Sequence, residues 1–287
     1  MIKGLKRLNL VPYKTPILLG FMALNFLLTG VDVLIAHSQN DFFGWEVIPL
    51  ILAPIAVIAV LAQLVFRYNT VVKRSFQTVM WVGVAVGVVG TLFHLMGNAT
   101  SSQESLNRLL VAGSPIAAPI ACAGISCYAL VSAHYQGTAR RSKLLVLVGL
   151  GFLCAVIAAF LDHARLGFVP SYTLIPLVSG TMATLACFYI ARGQANPQEI
   201  YLYLLILVLN LVIGLMGFGF HLMGDLAGTQ TIVWARMMYR NPLLGPLLFC
   251  NLAFLGGLSL LPESDVVLGD RNKAISTVEE DVEMFMA

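Results

Sequence analysis

The sequence predicts an all-α integral membrane protein with eight transmembrane helices, built as a tandem duplication of a four-helix unit. Three observations predict it. Hydrophobic residues make up 59% of the chain and charged residues 11%, with a mean hydropathy of +0.86, so polar groups are too few to cover a soluble globule. Eight apolar runs have the roughly twenty residues that a helix needs to cross a bilayer. The stretch VGVVGTLFHLMGN from Val86 to Asn98 recurs as IGLMGFGFHLMGD from Ile213 to Asp225, 127 positions later.

In chain order, residues 1–14 form a basic cytoplasmic N-terminus, followed by an uncleaved first span with no signal peptide. The expected spans are 15–37, 46–67, 74–97, 106–134, 142–164, 171–191, 199–224 and 231–261. The first four compose a unit over 15–135 and the last four a unit over 142–262, leaving 263–287 as an acidic cytoplasmic tail. That tail carries Glu263, Asp265, Asp270, Glu279, Glu280, Asp281 and Glu283 against Arg271 and Lys273, and is expected to be solvated or to dock a partner subunit. Of the 17 lysines and arginines, thirteen fall on the side of both termini. Only Arg108, Arg165, Arg236 and Arg240 fall opposite, which puts the termini in the cytoplasm, as for a bacterial inner-membrane protein. The charges form no contiguous patch for nucleic acid, and the five cysteines lie in apolar runs without zinc or redox spacing.

The duplication extends beyond its best-matched stretch. Pro49 and Pro176, Pro115 and Pro242, and Pro119 and Pro246 keep the offset of 127, and His37 and His163 stand 126 apart. Four helices per unit leave both copies in one orientation, related by a parallel pseudo-twofold axis along the membrane normal. The paired prolines are expected to kink the fourth and eighth helices and to free carbonyls in the membrane.

Four histidines, His37, His94, His163 and His221, close the four odd-numbered helices and should lie at one depth near the exoplasmic face. A lone histidine at a helix end ordinarily snorkels to headgroups. Four at equivalent ends suggest a site, since ionisable groups at membrane depth tend to mark one. Asp41, Asn98 and Asp225 follow His37, His94 and His221 by one helical turn, and Asp162 adjoins His163. A seam of Gly83, Gly87, Gly90, His94 and Gly97, matched by Asn210, Gly214, Gly217, His221 and Gly224, clears one helix face for a neighbouring helix or for a flat cofactor.

Two cofactors fit this pattern. Haem b would take two imidazoles as axial ligands, with Arg108, Arg165, Arg236 or Arg240 meeting its propionates. A copper, iron or zinc ion would take imidazoles together with Asp41 or Asp225. The expected function is therefore a membrane redox or metal-handling protein. The alternatives are a small-solute or metal-ion transporter with its site between the units, and a non-catalytic membrane anchor of a larger complex. No nucleotide-binding loop or hydrolytic motif is present to indicate another chemistry.

Overall fold

The computed structural model describes residues 10–38, 42, 44–99, 115–227 and 242–263. Eight α-helices occupy them, with no strand among the described residues. They are α1 (Lys14–His37), α2 (Val47–Val65), α3 (Thr70–Ala99), α4 (Ile120–His134), α5 (Gly137–Ala164), α6 (Ile175–Ala191), α7 (Pro197–Leu226) and α8 (Leu247–Ser259). Six helical segments, containing α1, α2, α3, α5, α6 and α7, are long and apolar enough to cross a membrane. Large apolar side chains such as Ile58, Trp81, Leu185 and Leu205 stand on their outer surfaces, a lining that only lipid can cover. The chain is an α-helical integral membrane protein.

The two remaining helices are shorter than expected. Spans were anticipated over 106–134 and 231–261, but α4 begins at Ile120 and α8 at Leu247, while 106–114 and 231–241 lie outside the described residues. Proline sets both starts. Pro119 and Pro246 are the N-cap residues, positions at which a missing N–H costs no helical hydrogen bond. The prolines therefore occupy the turn that opens each described helix.

In each half the helices close a ring, α1 against α2, α2 against α3, α3 against α4 and α4 against α1, with α5 to α8 joined in the same order. Within a ring, α1 and α3 stand diagonally opposite, as do α5 and α7. The halves meet through α4 with α5 and α1 with α8. Polar side chains stitch this contact: Asn251 Nδ2 donates to Asn25 Oδ1 at 2.6 Å, and the buried Tyr128 hydroxyl donates to Leu255 O at 3.1 Å.

The inner glycines of each seam are filled by a neighbouring helix, the first of the two readings above, whereas a Cβ on Gly97, beside the His94 end, would meet nothing within 4 Å among the described residues. A Cβ on Gly87 would stand 2.6 Å from Ala123 N and 2.9 Å from Pro119 O, and one on Gly90 would stand 3.0 Å from Pro119 Cβ. On α7, a Cβ on Gly214 would meet Pro246 O at 2.7 Å and one on Gly217 would meet Pro246 Cβ at 3.0 Å. Without side chains between them, α3 and α4 approach backbone to backbone, the contact that drives helix association in lipid.

Glu263 departs from its expected place in a solvated tail. It is fully buried and lies between Lys14 Nζ at 2.5 Å and Arg140 Nη2 at 2.5 Å. Arg140 Nε donates to it at 3.0 Å and Gly137 N at 3.2 Å, while Lys14 also donates to the carbonyls of Ser259 and Leu261. Lys14 and Arg140 are 126 residues apart (140 − 14 = 126), the spacing of His37 and His163. Two cations at that spacing thus share one carboxylate, which ties the starts of α1 and α5 to the end of α8. Burial works against ionisation of Glu263, but hydrogen bonds from Arg140 and Lys14 outweigh it and hold the carboxyl below its ordinary value.

Candidate functional site: two imidazole pairs

The four helix-closing histidines come together in twos. The rings of His37 on α1 and His94 on α3 lie 6.3 Å apart between centroids, and those of His163 on α5 and His221 on α7 lie 6.4 Å apart. Each pair bridges diagonal helices of its ring at the ends opposite Glu263. His37 follows Lys14 by 23 residues, a helical distance of about 35 Å.

The prolines explain how His94 and His221 are held. In a continuous helix the carbonyl of Pro115 would accept the N–H of residue 119, but that residue is proline and has none. His94 Nδ1 fills the vacancy by donating to Pro115 O at 2.9 Å, beside a bond of 3.2 Å from Ala118 N. In the second half, His221 Nδ1 donates to Pro242 O at 2.9 Å, and Gly245 N reaches the same oxygen at 3.3 Å. With Nδ1 carrying the proton, the lone pair of each ring resides on Nε2, the atom that can ligate a metal.

His37 is held by a residue absent from the sequence expectations. Its Nδ1 lies 3.1 Å from Glu46 Oε2, at the end of the short turn Gly44–Glu46 that leads into α2. The contact is close but not aligned, and neither atom has a hydrogen-bond partner among the described residues. Glu46 could have been found through Pro49, three residues on in the first turn of α2, which is repeated as Pro176. His163, in contrast, has the ring of His221 as its neighbour among the described residues.

The other expected site residues are distributed as follows. Asp41, Arg108, Arg236 and Arg240 lie outside the described residues. Arg165 stands 3.9 Å from Asp162. Asp225 is buried and has interactions of its own. Among the described residues no three histidine, cysteine or carboxylate side chains are grouped as metal ligands. All five cysteines are free thiols, and Met96 and Met223 are exposed on the outer surface. His134, at the other end of the molecule, stacks on Phe76, accepts from Gln77 and donates to Leu130 O. The polar residues deep in the bundle hold one another: Asn25 with Asn251, and Asn210 with the carbonyls of Ser179 and Ile206.

No family model matches the sequence, and no curated protein or solved structure is significantly similar to it. The reading of function therefore rests on the residues themselves.

Proposed function

We propose that the chain is a membrane electron carrier that binds two haem b groups, one between His37 and His94 and one between His163 and His221. The observation that carries this reading is the spacing within each pair, 6.3 and 6.4 Å. Two imidazoles on opposite faces of one iron, each bonded at about 2.0–2.1 Å, leave their ring centroids about 6 Å apart. A resident metal ion ordinarily takes three or four protein donors; haem needs two, and two are what each pair offers. The Nδ1 bonds to Pro115 O and Pro242 O support the same reading, because a proton on Nδ1 leaves Nε2 to face the iron. Bundle cofactor sites are commonly built in this way, from side chains on facing helices.

The finer architecture belongs to the same proposal. Eight spans in two four-helix units of common orientation, with both termini in the cytoplasm of a bacterial inner membrane, would bring both centres to the exoplasmic side. Haem there supplies one-electron chemistry; the chain's own residues hold the imidazoles and exclude bulk water. Arg165, with Arg108, Arg236 and Arg240, would neutralise propionates.

An ultraviolet-visible spectrum of the purified chain, oxidised and reduced, with elemental analysis of the same sample, tests the reading. A Soret band and iron near two per chain are expected. Stoichiometric copper or zinc without a Soret band would replace haem with an ion, and neither would favour the transporter or anchor alternative. His94→Ala and His221→Ala should each remove about half of the haem, while His134→Ala should remove none.

A further inference from the structure

The two imidazole pairs differ in what holds their outer nitrogens, and one side chain makes the difference. Glu46 and Thr173 are 127 residues apart (173 − 46 = 127) and lie in corresponding short turns, Gly44–Glu46 before α2 and Ser171–Leu174 before α6. Glu46 sets a carboxylate oxygen 3.1 Å from His37 Nδ1, with the two side chains 27% and 18% exposed. Thr173 Oγ1 is buried and has no hydrogen-bond partner among the described residues.

Charge around the pairs differs in the same sense. Asp32, one turn back on α1, also lies within electrostatic reach of His37. Near the second pair, Asp162 reaches His221 but is countered by Arg165 at 3.9 Å.

We infer that Glu46 is a positioning residue that makes the His37–His94 centre the lower-potential member of two unequal haem centres. The inference rests on the haem reading given above. A carboxylate accepting the Nδ1 proton of an iron-bound imidazole makes that ring a stronger donor and favours the more positive, ferric iron. The contact at 3.1 Å is short but not aligned, and such contacts tighten when the ligand is taken up. Among the described residues Nδ1 of His94 and Nδ1 of His221 each meet a neutral carbonyl, and of the four imidazoles it is His37 that has a carboxylate there. Electrons would then pass from the first centre to the second.

Potentiometric titration of the haem-loaded, full-length chain, followed by optical and low-spin paramagnetic resonance spectra, tests this. Two midpoints are expected, and His163→Ala should abolish the upper one. Glu46→Gln should raise the lower midpoint by about a tenfold change in the ferric-to-ferrous equilibrium, about 59 mV for a one-electron couple, and leave the upper one in place. Thr173→Glu should lower the upper midpoint. If Glu46→Gln instead releases haem from the first centre, the Thr173→Glu titration decides alone. Coincident midpoints, or midpoints that neither substitution moves, overturn the inference while leaving the two haems standing. A chain that takes up no haem overturns both.

Discussion

Replacing Glu263 by glutamine removes the anion that two buried cations share. The carboxylate receives Lys14 Nζ at 2.5 Å, Arg140 Nη2 at 2.5 Å and Nε at 3.0 Å, and Gly137 N at 3.2 Å, all without solvent exposure at Glu263. Breaking a buried ion pair by deleting one partner costs about 3–5 kcal/mol, because the remaining charge is neither solvated nor paired. Glutamine keeps one acceptor oxygen, and Lys14 keeps the carbonyls of Ser259 and Leu261, so the lower figure applies. Each kcal/mol moves the midpoint of a chain of this size by about 2–4 °C, giving an expected fall in Tm of about 6–12 °C. The assay is thermal unfolding of the detergent-solubilised chain followed by circular dichroism. Arg192→Gln serves as the reference, since it deletes an exposed charge and should change stability by less than about 0.5 kcal/mol. Equal midpoints for the two variants would refute the claim that Glu263 holds the ends of the two halves together.

The same carboxylate gives a pH dependence with a fixed sign. Because its folded value lies below the ordinary 4.5, its contribution is complete above that pH and is lost as pH falls through the lower folded value. Tm measured downward from pH 6 should therefore drop more steeply in the native chain than in Glu263→Gln. Gly87→Ala sets a methyl against the backbone of Ala123 and Pro119 and should destabilise by about 1–3 kcal/mol. Gly124→Ala, where a Cβ meets nothing within 4 Å, should be tolerated in the same unfolding assay. For topology, a reporter fused after Ala287 should be cytoplasmic, and a cysteine at Ser101 should react with an impermeant thiol reagent from outside; labelling only from the cytoplasmic side would reverse the orientation.

Helix content and membrane character were legible because they follow from hydropathy summed over twenty-residue runs, where many weak preferences add. The alignment of Gly87 with Gly214 and of His94 with His221 was legible because a repeat is exact information. What the glycines face was not, since a cleared helix side suits a helix and a flat ring equally in one dimension; the choice is made by Pro119, Ala123, Pro246 and Cys250 on another helix. The turns over residues 115–119 and 242–246 were not legible as breaks, because hydropathy ignores the missing proline donor. The pairing of His37 with His94 could be anticipated only as a shared depth, because diagonal placement is a property of the ring of four helices. Glu263 was assigned to solvent because it opens an acidic run, and nothing local to it announces Lys14 and Arg140 more than a hundred residues away.

The repeated histidine and the repeated prolines answer one another. Pro119 and Pro246 cost the carbonyls of Pro115 and Pro242 their helical donor, and a carbonyl left unsatisfied away from water costs about 1–3 kcal/mol. His94 and His221 supply a donor at 2.9 Å, so each imidazole has a structural duty on Nδ1 and keeps its lone pair on Nε2. The two duties can be separated. His94→Asn offers an amide N–H near the position of Nδ1 but nothing at Nε2, so it should retain most of the stability and, on the function proposed above, lose the haem of that pair. His94→Ala should lose both, at about 1 kcal/mol in stability, because Ala118 N still reaches the same oxygen. Pro119→Ala restores the backbone N–H, so in that background the stability cost of His94→Ala should shrink towards zero while haem loss persists. If the double-mutant cycle shows no coupling between positions 94 and 119, the imidazole is not standing in for the proline's missing donor, and the contact with Pro115 O is incidental to the fold.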